Sequence, residues 1–174
     1  MDLANGVLSQ ITNKIAFIVK NYSYSNNKNN LFLISWDEIR FKISSLTLVE
    51  FSDFILYIFK LKGFNVNTFY HFSEGKRFNL YKNSEDYILE CRAFSRTDSL
   101  CKPLAVDLKE FMTHSKTSKG FIACTGKFTK ACIDYCSLTD IKLLSIDDII
   151  FTLQHLDKNA LSLVLNYLNQ EFYY

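Results

Sequence analysis

The chain of 174 residues carries a formal net charge of +2, and 48% of its residues are hydrophobic. This length fits one domain with a sizeable core and excludes two full-sized globular domains. The small net charge excludes a strongly basic protein, so any basic surface must come from local clustering of Lys and Arg. No apolar run approaches the ~20 residues of a membrane span, and the first ten residues lack the layout of a secretory signal.

The first 45 residues differ in character from the rest of the chain. Residues 3–20 place apolar side chains on one stripe of a predicted helix, and the Asn-rich residues 21–30 resemble a linker. Residues 31–43 fit a strand or a helix equally well. We therefore expect an N-terminal extension of residues 1–45 and a folded domain of residues 46–174.

Stronger signals begin at Thr47, which forms a capping box with Glu50 ahead of an apolar pattern at helical spacing. Gly63 is placed to end this helix. The pattern predicts a helix of about residues 47–62.

Three short strand-like segments follow, and the third, YILECRAF, carries an acid and a base in its middle. Side chains alternate along a strand, so Leu89 and Cys91 point to one face while Glu90 and Arg92 point to the other. Two interpretations remain open. The polar face is either a solvated surface with a local ion network or an anion-binding site.

A tight turn around Ser84 and Glu85 would join the second and third strands into a hairpin. In that register Asn79 lies opposite Glu90, and Arg77 lies opposite Arg92. Two opposed arginines repel one another unless a carboxylate or an anion sits between them.

The remainder of the chain alternates between strand and helix patterns. A helix near 105–115, a strand in 120–126, a helix near 128–138, a short strand in 142–146 and one or two helices from Asp147 are predicted, with Ser145 and Asp148 as an N-terminal box. This order predicts an α/β layered domain with a mixed central sheet flanked by helices. Five cysteines, mostly within apolar segments, predict reduced and buried thiols.

The order of elements from residue 47 to 157 resembles the Mrr-type restriction endonuclease domain of the PD-(D/E)xK nuclease superfamily. The most specific segment runs from Gly120 to Ala131, where family members have an apolar strand, a Thr-Gly step, a Phe-Thr pair and a nearby Ala. The matching residues are Thr125, Gly126, Phe128, Thr129 and Ala131. The resemblance implies a restriction-endonuclease-like fold preceded by an N-terminal helical extension.

The resemblance also implies positions for the active site. The metal-binding Asp of the family corresponds to Asn79, the acid of its third strand to Glu90, its Lys to Arg92 and its helical Glu to Ser52. Only the acid is retained, so Glu90 is the expected metal ligand, and Mg²⁺ is expected only if nuclease activity survives.

The leading hypothesis is a catalytically impaired nuclease fold that binds the phosphate backbone of DNA or RNA through Arg77, Arg92, Lys76 and Arg96. The alternatives are an active metal-dependent DNA endonuclease and a protein-interaction module, which includes a secreted bacterial effector. The sequence leaves open a protein partner and a homodimer, and it predicts no membrane association. The chain is expected to be cytoplasmic at synthesis, with export as an effector as the alternative.

Overall fold

The computed structural model describes residues 35–72, 75–94 and 99–170. These residues lie in a compact unit of residues 34–174. The predicted helix of residues 3–20 and the Asn-rich linker lie outside the described residues. The compact unit includes the helix α1 (Trp36–Ser45), which the expected boundary at residue 45 assigned to the extension.

Within the described residues, the first two helices both start with a capping box. Ser35 and Glu38 cap α1, which shows that the ambiguous segment 31–43 contains a helix start. Thr47 and Glu50 form the predicted box at the start of α2 (Leu48–Leu61). Gly63 follows α2 with a φ of +83°, a left-handed conformation that glycine adopts without steric cost. The predicted helix of residues 47–62 is confirmed.

The strands of the described residues are β1 (Asn65–Phe72), β2 (Gly75–Lys82), β3 (Glu85–Arg92), β4 (Ser99–Leu100), β5 (Lys119–Cys124), β6 (Lys127–Phe128) and β7 (Ile141–Leu144). A five-stranded sheet with the order β1-β2-β3-β5-β7 forms the centre of the domain. The strands β1, β2 and β3 are antiparallel neighbours, whereas β5 and β7 continue the sheet in parallel with β3. A separate parallel pair joins β4 and β6.

Four further helices complete the layers: α3 (Lys102–His114), α4 (Lys130–Ser137), α5 (Ile146–Gln154) and α6 (Lys158–Gln170). The helix α3 begins three residues before the predicted position 105, because a proline fits its first turn. Ser145 and Asp148 form the predicted box ahead of α5. The α/β fold with a mixed sheet flanked by helices is confirmed. None of the helices in the described ranges is long and apolar enough to span a bilayer.

Helices cover both faces of the strand β3. Ile88 packs with Leu108 and Met112 of α3 on one face. On the other face the ring of Phe121 in β5 lies 5.0 Å from the ring of Phe59 in α2. Consequently the strand from residue 88 to residue 92 is buried throughout. The interpretation of its polar face as a solvated surface is therefore wrong.

The hairpin of β2 and β3 turns one residue earlier than predicted. Asn83 and Ser84 are its two central residues, with φ of +52° and +64°, as in the type I′ turn that fits the twist of a hairpin. Arg77 therefore faces Glu90, and Asn79 faces Ile88. The predicted oppositions of Arg77 to Arg92 and of Asn79 to Glu90 are wrong by two residues.

Burial of the cysteines largely follows the prediction. All five are free thiols; Cys91, Cys124, Cys132 and Cys136 are buried, and Cys101 is exposed. Burial raises the pKa of the Cys124 thiol to about 11. It raises that of Cys132 to about 12, with a further contribution from the neighbouring Cys136. These thiols are poor nucleophiles and belong to the core.

The turn geometry predicts the effect of substituting Ser84. Because Ser84 holds a left-handed backbone, which costs a non-glycine residue free energy, Ser84→Gly should raise the free energy of unfolding by about 0.5 kcal/mol. Urea denaturation measures the change. The control is Ser137→Gly at the end of α4, where the helical backbone makes the same substitution destabilising by up to about 1 kcal/mol. A loss of stability in Ser84→Gly would contradict the turn assignment.

Candidate functional site

The carboxylate of Glu90 lies buried between two arginine side chains. Its Oε2 accepts a hydrogen bond from Nε of Arg77, and its Oε1 accepts one from Nε of Arg92, both at 2.6 Å. Glu90 is 0% exposed, Arg92 2% and Arg77 8%. Each carboxylate oxygen therefore already has a charged donor, at the short distance that is typical of charge-assisted hydrogen bonds.

The strand register explains why these three side chains meet. Arg77 of β2 is the direct cross-strand partner of Glu90, and Arg92 lies two residues further along β3 on the same face. The expected repulsion between two opposed arginines does not arise, because Glu90 stands between them. The structure thus brings together three of the predicted site residues as an internal ion network.

Asp107 of α3 extends this network to the neighbouring helix. It accepts a hydrogen bond from the Nη2 atom of Arg77 and is itself 60% exposed. Burial alone would lower the pKa of Arg77, but the carboxylates of Glu90 and Asp107 outweigh it, and the pKa is raised. The guanidinium carbon of Arg77 also lies 4.9 Å from the ring centroid of Phe111, one turn further along α3.

Sequence reasoning missed Asp107 and Phe111. The signal available in the sequence was their i,i+4 spacing on the predicted helix of VDLKEFMTH, which places an acid and an aromatic ring on one helix face. That spacing identifies a shared face but not the strand against which the face packs.

Asn79 occupies the position that the resemblance assigns to a metal-binding Asp. Its side-chain Oδ1 is buried and has no hydrogen-bond partner among the described residues. This atom is a neutral oxygen that points into the interior. It offers one weak ligand at most, since Mg²⁺ prefers carboxylate oxygens and water.

Ser52, which the resemblance assigns to the position of the family's helical Glu, lies away from Glu90. Its hydroxyl donates to the carbonyl of Leu48 at 2.6 Å, and it also interacts with the thiol of Cys91. Cys91 and Glu90 are adjacent in β3 and so point to opposite faces of the sheet. Burial raises the pKa of Cys91, and the contact with Ser52 opposes that shift only in part.

The remaining predicted residues are Lys76 and Arg96. Lys76 is half-buried in β2 and pairs with Cys91 across the hairpin. Arg96 lies outside the described residues.

The residues present do not fit a magnesium ion. Both oxygens of Glu90 are held by guanidinium groups, and Asn79 adds no negative charge. Within the part of the chain that the structure describes, no group of three His, Cys, Asp or Glu side chains is arranged to hold a metal ion. Restriction endonuclease domains of the implied type are typically Mg²⁺-dependent, and this site departs from that chemistry.

Fold and site together define a restriction-endonuclease-like domain, in which a mixed sheet carries the polar residues of its second and third strands on one face. The family model described as Restriction endonuclease, for the Mrr catalytic domain, matches residues 43–153. The chain belongs to this Mrr-type restriction endonuclease domain family, as the resemblance predicted. A search of curated proteins found no match.

Comparison with solved structures gives similarities at low sequence identity. A protein of unknown function, AF1548, is 16% identical with a TM-score of 0.53, over 70% of this chain and 79% of that one. The DNA modification-dependent restriction endonuclease AspBHI is 12% identical with a TM-score of 0.44, over 82% of this chain and 43% of that one. The MspJI restriction endonuclease, solved with a 27-mer oligonucleotide, is 12% identical with a TM-score of 0.42, over 90% of this chain and 35% of that one.

The ion network predicts unequal effects of its two acids on stability. Glu90→Gln removes the charge that compensates two buried guanidinium groups, so it should lower the free energy of unfolding by about 3 kcal/mol or more. Asp107→Asn should cost less than about 1 kcal/mol, because Asp107 is mostly exposed. Urea denaturation at neutral pH compares the two variants with wild type. Similar losses in both variants would show that burial of Glu90 does not dominate the network.

Proposed function

We propose that this chain is a restriction-endonuclease-like domain that has lost metal-dependent cleavage and binds the backbone of nucleic acid. The observation that carries the proposal is the pairing of both Glu90 oxygens with Arg77 and Arg92. This carboxylate is the only acid retained among the four carried-over positions of the family motif.

The loss of metal binding follows from the cost of releasing Glu90. A metal ion at this carboxylate would have to displace at least one guanidinium, which would separate a buried cation from the Glu90 carboxylate. Breaking a buried ion pair in this way costs about 3–5 kcal/mol. The neutral Asn79 returns little of that cost, since it brings no charge to a divalent ion.

The buried arginines are poorly placed to contact phosphate. Arg77 and Arg92 are almost completely buried and hydrogen-bonded to Glu90. Extracting either one would break the same pair. In this proposal the two arginines therefore stabilise the fold. The phosphate contacts are made by lysines near the same end of the sheet as these arginines.

Three lysines from separate elements lie toward the end of the sheet at which β3 and β5 finish. Lys76 pairs with Cys91 near the end of β3, and Lys127 follows the end of β5. Lys102 follows β4, the partner strand of β6. Lys102 and Lys127 are exposed. Ligands of α/β sheets commonly bind at the carboxyl ends of parallel strands, so these lysines are our candidate phosphate contacts.

The first test is cleavage and metal binding. We expect no cleavage of plasmid DNA by the full chain with Mg²⁺ or Mn²⁺ and no saturable heat of Mg²⁺ binding. Asn79→Asp with Arg92→Lys should still bind little metal, because Arg77 continues to hold Glu90. Adding Arg77→Met to that pair should raise Mg²⁺ affinity. Metal-dependent cleavage by wild type that Asn79→Ala abolishes would overturn the proposed loss of catalysis.

The second test is nucleic-acid binding, measured by fluorescence anisotropy of a labelled duplex at several salt concentrations. We expect sequence-independent binding with a Kd of about 10⁻⁴ to 10⁻⁶ M at physiological salt. Replacing Lys76, Lys102 and Lys127 by Gln should flatten the slope of log K against log salt by roughly 3.

The matched control removes the same charge elsewhere, with Gln at Lys116, Lys119 and Lys158. This triple variant should keep the wild-type slope. Equal losses in both triple variants would show that net charge, and not the end of the sheet, governs binding. Absence of binding by wild type even at low salt would exclude the nucleic-acid function.

A second candidate function, a protein-interaction module, is favoured by one observation. A groove of about 820 Å³ is lined by Phe41, which is 60% exposed, and Ile133, which is 49% exposed. Large exposed apolar side chains that share a groove are typical of interaction sites. If the anisotropy experiment excludes nucleic acid, this candidate becomes the leading function.

A further inference from the structure

A small cavity lies on the opposite face of the sheet from Glu90. Its volume is about 140 Å³, and its wall includes Phe121, whose neighbour Ile122 belongs to the core on the other face. The lining side chains come from α2, the segment after it, β5, β7 and α5. The apolar members are Ile55, Ile58, Phe59, Phe64, Phe121, Leu144 and Ile149, and the polar members are Lys62, Lys142 and Thr152.

Three phenylalanine rings shape the apolar part of the cavity. The ring centroids of Phe59 and Phe64 lie 5.0 Å apart, as do those of Phe59 and Phe121, and all three pairs meet edge to face. Edge-to-face contacts suit a further aromatic ring packed among them. The volume also suits a single ring, because an apolar cavity of about 150 Å³ is known to hold benzene.

Two lysines from different elements line the same cavity, and a third lysine lies beside one of them. Lys62 ends α2, Lys142 lies in β7, and Lys82 of β2 donates its ammonium to the carbonyl of Lys62 at 2.6 Å. Burial lowers the pKa of Lys62, and the charges of Lys142 and Lys82 lower it further. Within the described ranges, neither Lys62 nor Lys142 forms an ion pair with a carboxylate.

A purely structural role explains only part of this arrangement. A lysine near the end of α2 compensates the helix dipole. The ammonium nitrogen of Lys82 lies over the ring of Phe64, 5.0 Å from its centroid, as in a cation–π contact. Lys142 has no such role, because it lies in a strand and adds repulsion to Lys62. An anion between Lys62 and Lys142 would convert that repulsion into attraction.

The residues that line the cavity favour one class of anion over others. A nucleobase would place its polar edge against phenylalanine and aliphatic side chains, which would leave its hydrogen-bonding groups buried without partners. Of the residues that line the cavity, only Thr152 and the two lysines offer polar groups. The chemistry therefore favours one apolar ring with one anionic group at its edge.

We propose that this cavity binds a small aryl anion, with its aromatic ring among Phe59, Phe64 and Phe121 and its carboxylate or phosphate between Lys62 and Lys142. The site is separate from the network of Glu90 and does not depend on nucleic-acid binding. The shared chemistry of benzoate and phenyl phosphate defines the ligand class.

The experiment titrates the full chain with phenyl phosphate and with benzoate by isothermal calorimetry. We expect saturable 1:1 binding of at least one of the two probes, whichever anionic group fits between the lysines. Inorganic phosphate lacks the ring, benzyl alcohol lacks the anionic group, and benzylamine carries the opposite charge. Each of the three should therefore bind at least tenfold more weakly. Equal binding of inorganic phosphate or benzyl alcohol would overturn the proposal, as would the absence of saturable binding by both aryl anions.

Substitutions of the lining residues test whether the aryl anion binds in this cavity. Replacing both Lys62 and Lys142 by Gln should weaken binding of the tighter-binding probe at least tenfold. Both positions are exposed, so these substitutions should leave the fold intact. The matched control with Gln at Lys116 and Lys158 removes the same charge from exposed positions that do not line the cavity and should change affinity less than twofold. Thr152→Phe, which fills the cavity while keeping both lysines, should abolish binding. Equal losses in the two lysine pairs, or full binding by Thr152→Phe, would overturn the proposed location.

Discussion

The structure depends on one buried carboxylate. Glu90 lies in the middle strand of the sheet with helices on both faces, where a free charge would cost several kcal/mol. Arg77 and Arg92 remove that cost by donating to one oxygen each. Because Arg77 belongs to β2 and also contacts Asp107 of α3, the pairing ties two strands and a helix together. The register of the hairpin and the position of α3 are therefore coupled through a single side chain.

The same pairing bears on metal binding, because both oxygens of Glu90 are already held by guanidinium groups. The resemblance assigns Glu90 to a metal-binding position, whereas its negative charge is balanced by guanidinium groups. The resemblance also assigns Arg92 to the position of the family's Lys, and a guanidinium, unlike an amine, does not act as a base. Asn79 on the same face brings no charge to a metal ion.

The elements of the fold could be predicted from the sequence where it carries local signals. Thr47 with Glu50 and Ser145 with Asp148 identify helix starts through contacts only three residues apart. The hairpin register could not be predicted in the same way. A shift of two residues leaves every side chain on the same face of the sheet, and apolar side chains still lie opposite apolar side chains. Only the left-handed backbone at Asn83 and Ser84 fixes the turn, and neither residue is glycine. The burial of Glu90 was also hidden, since it depends on a second layer of helices packed from distant sequence.

The two faces of the sheet differ in how far their positive charges are compensated by carboxylates. Around Glu90 the arginines are matched by carboxylates, so a phosphate arriving there must compete with partners that are already in place. The cavity beside Phe121 is lined by two lysines and by no carboxylate. An anion gains most where positive charge is least compensated. We therefore expect the lysines of this domain to bind anions, while its two buried arginines stabilise the register of the strands.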